Sequence, residues 1–240
     1  MNTDGLKQLW KIVFGDPDSF IDAFFDVAFS PDRCRCLEEN GNVISALYWF
    51  DCSYEGGKLA YIYAVATHPD HRGRGLASRL LEDTHTHLKE TGYAGAVLKP
   101  ASGLFPFYER LGYETCGYIT RFCAEASDAP LPIRQITAEE YSGLRKSFLP
   151  ENGISQEGVT LEFLSTFASF YASTDALVCA NKEEQVVFEY LGNPHSAPGI
   201  LSALSVKSAE IPTPGQDIPF AMWHPLNCTK KPGYLGISLE

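Results

Sequence analysis

The sequence predicts an α/β protein in two parts: a mixed, mostly antiparallel sheet flanked by helices, then a smaller α+β domain. Three observations predict it. Of 240 residues, 45% are apolar and 20% charged, the composition of a folded chain long enough to bury a sizeable core. Stretches with apolar residues three and four apart are interleaved with short extended runs, which read as helices and strands. The small, proline-bearing segment Ala126-Ser-Asp-Ala-Pro-Leu-Pro132 separates two such patterned regions and reads as a linker. The expected domains are therefore 1–125 and 131–240.

Thirty acidic against 19 basic residues leave a net charge of −11, and both halves are acidic. Affinity for nucleic acid is dominated by phosphate neutralisation, so a nucleic-acid partner is disfavoured, whereas cationic small molecules or peptides are tolerated. No run approaches the roughly 18 consecutive apolar residues of a membrane span, and the start lacks the basic and apolar regions of a secretion signal. The sequence therefore reads as that of a cytoplasmic protein. Seven cysteines, an odd number without Cys-x-x-Cys spacing, indicate neither a disulfide framework nor a zinc site. Cys34 and Cys36, two apart in an extended run, read as core residues.

Along the chain, Leu6, Leu9, Trp10, Val13 and Phe14, then Phe20, Ile21, Phe24, Phe25 and Ala28, mark two short amphipathic helices over 5–14 and 19–29. Gly15-Asp16-Pro17-Asp18 stops the first and restarts the second. Three extended runs follow at 33–39, 43–51 and 59–67. Asn40-Gly41 between the first two favours a tight hairpin, so an antiparallel meander is expected. A helix over 76–91 ends at Gly92, then come a strand over 94–99, a helix over 102–111 closed by Gly112, and a strand over 113–123. In the second half, Thr137-Ala-Glu-Glu140 matches a capping box, and Leu161, Leu164, Phe167, Phe170 and Tyr171 mark a further helix. Strands are expected at 176–180, 186–191, 219–223 and 234–238, with a helix over 200–207. This order loosely echoes the first half, as a degenerate second copy would.

The stretch that carries chemistry is Tyr61 to Leu81: a strand, a basic glycine loop and a helix in immediate succession. A strand leading through glycines into a helix start presents unpaired backbone N–H groups at the positive end of the helix dipole, a ready site for a pyrophosphate. Gly73 and Gly75 let the backbone approach an anion closely, and Arg72 and Arg74 add charge. His85 and His87 lie on different sides of one helix and cannot share a metal ion. His68 and His71 read as loop residues, and Trp10, Trp49 and Trp223 as core.

In Val65-x-Thr67-x-Pro69-x-x-Arg72-Gly-x-Gly75-x-Ala77, followed by Leu104-Phe-Pro-Phe-Tyr108-Glu-Arg-Leu-Gly112-Tyr113, the chain resembles the GNAT superfamily of acyl-CoA-dependent N-acyltransferases over about 1–125. The resemblance implies a mixed sheet whose fourth and fifth strands splay apart around acetyl-CoA, used as co-substrate without a metal. It implies that Val65, Ala66 and Thr67 hold the pantetheine arm as an added strand would. By the same resemblance Arg72, Gly73, Arg74, Gly75, Leu76 and Ala77 hold the pyrophosphate, and Tyr108 faces the leaving sulfur. Two features depart from the family. The usual first strand has no room, so its place is empty or filled from the second half, for example by 131–136 or 234–238. Ser102 stands where the family often has Asn at the cofactor, and can still cap its helix.

The implied reaction is attack of a neutral amine on the acetyl thioester. An alkylammonium of pKa near ~10 must first lose a proton, for which Glu55, Asp51, His68 and the terminal carboxylate of Glu240 are candidates. A phenol (about 10) is less acidic than a thiol (about 8.5), so Tyr108 can stabilise the thiolate by hydrogen bonding as readily as by full proton transfer. The acidity of the chain favours a cationic amine such as a polyamine, an aminoglycoside or a lysine-like group. The competing reading is a catalytically silent CoA-binding sensor or scaffold.

Overall fold

The computed structural model describes residues 1–239. The chain opens with α1 (Thr3–Phe14) and α2 (Asp18–Ala23), then forms β1 (Cys34–Glu39), β2 (Asn42–Tyr54) and β3 (Gly57–Thr67). Next come α3 (Leu76–Glu90), β4 (Gly95–Leu98), α4 (Phe105–Glu109) and β5 (Glu114–Glu125). The second half runs β6 (Arg134–Ile136), α5 (Ala138–Phe148), β7 (Ser155–Gln156), α6 (Val159–Leu164), β8 (Ser169–Ala172) and β9 (Ala176–Asn181). It ends with β10 (Val186–Gly192), α7 (Ala197–Leu204), β11 (Ser208–Pro214) and β12 (Ile218–Pro225).

Two compact units emerge. The first holds Met1–Cys52, Gly56–Glu114 and Met222–Lys230; the second holds Ser53–Glu55, Thr115–Ala221 and the chain from Lys231. The division thus falls just before the body of β5. The segment 126–132 has no helix or strand and lies within the second unit.

In the first unit β1, β2, β3 and β4 are successive neighbours, and the last residues of β12 follow β4. The sheet is mixed, because β1 and β2 pair antiparallel, β3 and β4 parallel, and β12 antiparallel to β4. Asn40 and Gly41 both take positive φ, 52° and 80°, as the twist of a two-residue hairpin demands, and they set the register in which Glu39 faces Asn42. Nearly every residue of β2 is buried, so the sheet is covered on both faces. Trp10 and Phe24 meet Tyr48 and Tyr63 on one face. Leu80, Leu81 and Leu88 of α3 pack with Leu47, Ala60, Ile62 and Leu98 on the other. The helix expected over 19–29 is α only to Ala23. From Phe24 to Ala28 it widens to a π-turn, with Phe29 N–H donating to Phe24 O at 2.9 Å. All three tryptophans are buried, and Cys34 is too, whereas Cys36 is only half-buried.

Two expectations about strand edges are corrected. Neither 131–136 nor 234–238 adds a strand beside β1, which ends the sheet order; within the first unit it is Met222–Pro225 that lies against β4. Residues 134–136 form β6 and pair β8.

In the second unit β10, β9, β8 and β6 form an antiparallel sheet, and β5 pairs antiparallel with β11. The expected capping box on α5 is complete: Glu140 N–H donates to Thr137 Oγ1 and Thr137 N–H to Glu140 Oε2, each at 3.1 Å. The helix expected to reach Tyr171 stops at Leu164, because Phe170 and Tyr171 pair with Cys179 and Val178 of β9, and these partners outweigh the helical spacing. The helix placed at 200–207 is shifted to α7, since Ser205 takes a left-handed conformation and ends it. Residues 234–238 form no strand; Ile154 N–H donates to Tyr234 O at 2.8 Å, and buried side chains hold two further carbonyls of the segment. Arg145 donates to Ile154 O at 2.7 Å and Leu235 O at 3.1 Å, and Gln156 to Ile237 O at 2.8 Å.

Candidate active site

The first unit places the chemical stretch where its main strands part. β3 and β4 pair only at Leu59–Gly95, Ala60–Ala96 and Tyr61–Val97, after which β3 runs on to Thr67 while β4 ends at Leu98. Ala64, at φ 48°, is a non-glycine residue in the left-handed region just past the last pair, and such positions are conformationally costly. Beyond it, Val65, Ala66 and Thr67 present the β4-facing edge of β3 where β4 no longer follows. On the other side they are held by β2: Ser45, fully buried, donates its hydroxyl to Ala66 O at 2.8 Å and lies 2.9 Å from Thr67 Oγ1, and His68 N–H donates to Ile44 O at 2.9 Å.

The loop after β3 is open at its two glycines and leads straight into a helix start. Gly73 and Gly75 take φ of 76° and 72°, and nothing lies within 4 Å of where a side chain would begin at either. Gly75 is the N-cap of α3 without a side-chain cap, and the first donor into the helix is Arg79 N–H, to Gly75 O at 3.0 Å. The amides of Leu76, Ala77 and Ser78 therefore precede that bond at the positive end of a 15-residue helix. The two arginines differ in role. Arg74 is held by Glu39 at 2.8 and 3.2 Å and donates to His71 Nδ1 at 2.7 Å. That guanidinium, ahead of His71, holds the Glu39 carboxyl below its usual range. Arg72 is exposed and uses Nε on Thr67 O at 3.3 Å.

Tyr108 lies on α4, which follows β4 from its parted end. It is 6% exposed and belongs to the core cluster with Leu98, Tyr113 and Met222. Its ring meets Tyr113 edge-on with centroids 5.5 Å apart. Ser102 is exposed in the turn before α4 but does not cap it: the N-cap is Leu104, without a side-chain hydrogen bond.

The candidate bases separate by geometry. Asp51 accepts from Tyr93 OH at 2.5 Å and pairs with Lys58 Nζ at 3.2 Å, which puts it beside the first residues of β3, at the opposite end from the parting. His68 Nδ1 accepts from Asp70 N–H at 3.3 Å as the cap of a short 3₁₀ turn. Glu55 is exposed in the second unit. Glu240 lies outside the described residues. Among the described residues no cluster of histidine, cysteine or carboxylate side chains suits a metal ion, and no helix is long and apolar enough to cross a membrane.

Residues 2–116 match the family model described as "Acetyltransferase (GNAT) domain". That segment is a GNAT acetyltransferase domain. No curated protein matches the chain. Among solved structures, the GCN5-related N-acetyltransferase from Kribbella flavida is similar, with a TM-score of 0.68 and 17% identity, over 93% of this chain and 69% of that one. Eis1 from Mycobacterium abscessus reaches 0.67 at 12% identity over 93% and 71%, and a putative acetyltransferase from Pyrococcus horikoshii reaches 0.67 at 13% over 98% and 90%. At these identities the likeness is one of fold.

Three contributors to the GNAT domain were not visible in the sequence. Ser45 sits in an apolar run that reads as core. Glu39, which neutralises Arg74, lies far from it in sequence, at the end of a hairpin strand. His224 comes from β12 and stacks on His85 of α3, with ring centroids 4.1 Å and planes 6° apart.

Proposed function

We propose that the GNAT domain is an N-acetyltransferase that moves an acetyl group from acetyl-CoA to a primary amine of a small molecule or peptide. The observation that carries this reading is the conjunction of parted parallel strands with two left-handed glycines opening α3. The free edge of Val65–Thr67 suits the amides of a pantetheine arm, and the open space before Gly73 and Gly75 suits a pyrophosphate held by the amides of Leu76 and Ala77. Arg72 supplies the loop's exposed charge, since Arg74 is already paired with Glu39.

In the reaction a neutral amine attacks the thioester carbonyl, a C–N bond forms and the C–S bond breaks. The amine nitrogen gives up one proton and the departing sulfur gains one, so proton transfer balances once the ammonium has been neutralised. In this reading Tyr108 donates to the sulfur, by hydrogen bond or proton. The chain's net charge of −11 favours a cationic acceptor, whose charge acetylation would remove.

The experiment is free-thiol release from acetyl-CoA across a panel of polyamines, aminoglycosides and lysine-containing peptides. Amine-dependent release supports the reading. Binding of acetyl-CoA without amine-dependent release overturns it in favour of a silent CoA-binding module, a role that the packed position of Tyr108 would suit. Release that ignores the amine overturns it in favour of hydrolysis.

A further inference from the structure

The first unit contains a column of rings, buried at His85, Tyr113 and Tyr108 and half-buried at His224, that the proposed reaction does not use directly. His85 of α3 is 8% exposed and its Nε2 shares a hydrogen bond with Tyr113 OH at 2.8 Å. Its face stacks on His224, whose ring also lies 5.3 Å from Tyr113. His224 is opposite Ala96 of β4 in the ladder, and it fills the space over Gly112, where a side chain would begin 3.1 Å from the imidazole. Tyr113 in turn abuts Tyr108, edge-on at 5.5 Å, and its N–H donates to Tyr108 O at 3.1 Å.

We propose that His224 and His85 are positioning residues that fix Tyr108 through Tyr113, so that the strand returning from the far half of the chain completes the active site. This rests on Tyr108 acting at the sulfur. The geometry supports it because each ring in the column touches the next and the terminal one belongs to α4, the helix whose placement the reaction needs. Stacked imidazoles at 4.1 Å favour the uncharged form, since a proton on one faces its neighbour beside the buried His85.

Among the described residues, no charged side chain figures in the shift of either histidine. Burial, and then the neighbouring His224, push His85 down to about 3. Burial is the first cause of the lowered value at His224, opposed by hydrogen bonds at the Gly112 and Leu111 backbone. From the junction of α4 and β5 the column faces Tyr108 and Tyr113, whose phenol burial pushes well above its usual value. β4 contributes Ala96, and on β12 the flanking residues are Trp223 and Pro225. His85 is thus neutral in the folded protein near neutral pH and His224 is shifted in the same direction, while an unfolded histidine titrates near ~6.5. Stability is full above that pH and falls as pH drops through and below it, about tenfold in the folding constant per pH unit for each histidine that stays neutral.

The test has two readouts on the full chain. In histidine Cε1–H spectra, one imidazole, His85, should stay untitrated from pH 8 to about 5 and a second, His224, should titrate below the ordinary histidine range, and His224→Phe and His85→Phe should assign them. Six ordinary titrations would overturn the proposal without any variant having to fold. In kinetics with acetyl-CoA and the best amine of the panel, Tyr113→Phe and His85→Phe should each lower kcat about three- to tenfold with KM for acetyl-CoA unchanged within twofold. The double variant should lose no more than the worse single one, as expected of groups acting as a unit. Unchanged kcat in folded variants, or losses that multiply, would overturn positioning. A silent Tyr108→Phe with His85 and His224 both shifted down would instead locate the failure in the catalytic role of Tyr108.

Discussion

Ser45 of β2 donates its hydroxyl to the carbonyl of Ala66 on β3 at 2.8 Å while lying 2.9 Å from Thr67 Oγ1. With its own proton committed to Ala66, Ser45 must accept from Thr67, so one fully buried hydroxyl fixes two successive residues of the strand proposed to hold the pantetheine arm. Ser45→Ala strands a buried carbonyl and should cost about 1–3 kcal/mol of stability. Acetyl-CoA affinity should fall with it. Equal affinity by calorimetry in a destabilised variant would show that the arm does not depend on this edge.

The glycine loop predicts stoichiometry. The turn that opens α3 has no counterpart sequence in the second half, so titration should give one acetyl-CoA per chain, and two equivalent sites would be decisive against it. Gly75→Asp forces a side chain onto a residue at φ 72° and puts negative charge where the pyrophosphate is proposed to sit. The folded variant should lose acetyl-CoA binding. Normal binding would mean that the loop is not the phosphate site.

A fragment of residues 1–125 should be insoluble or melt without cooperativity, though not for the reason the sequence suggests. The sequence points to the vacant edge of β1. The structure instead shows Met222–Pro225 paired along β4 from Leu98 to Gly95, and Asn227 donating to the carbonyls of Lys89 and Tyr93. The fragment therefore uncovers the edge of β4, the very strand that borders the parting, and an uncovered edge invites aggregation. A soluble, cooperatively melting fragment would count against this.

In the second unit, Arg145 and Glu189 are 1% and 0% exposed and joined by two contacts of 2.8 Å, with Tyr141 OH donating to the same carboxylate at 2.6 Å. Removing one partner leaves a buried charge uncompensated, so Arg145→Met should cost about 3–5 kcal/mol. Adding Glu189→Leu should recover much of that loss. A double variant no more stable than Arg145→Met in a denaturant titration would argue that Arg145 matters for the Ile154 and Leu235 carbonyls alone.

What the sequence revealed follows the range of each interaction. The Asn40-Gly41 hairpin, the Thr137–Glu140 capping box and the Gly75 helix start are set by residues within a few positions of one another, and each is legible. Phe170 and Tyr171 continue a helical spacing by coincidence, and only their partners on β9 reveal them as strand. The stack of His85 on His224 and the return of β12 to β4 join residues more than half the chain apart. No local pattern announces them. The placement of Ser45, Glu39 and Asp51 relative to the parting likewise depends on strand register.

Tyr108→Phe tests the chemistry most directly. Removing the hydroxyl keeps a ring that is 6% exposed and packed against Tyr113, so the variant should fold and bind acetyl-CoA nearly as before. If the hydroxyl stabilises charge that appears only as sulfur departs, the loss belongs to the transition state and not to the bound state. That predicts a fall in kcat of about 10- to 1,000-fold with little change in affinity for acetyl-CoA. The measurement needs saturating amine and acetyl-CoA, together with single-turnover rates to show that acetyl transfer and not product release is being read. Unchanged kcat under those conditions would make Tyr108 a core residue and leave the thiolate to another donor at the parted ends of β3 and β4.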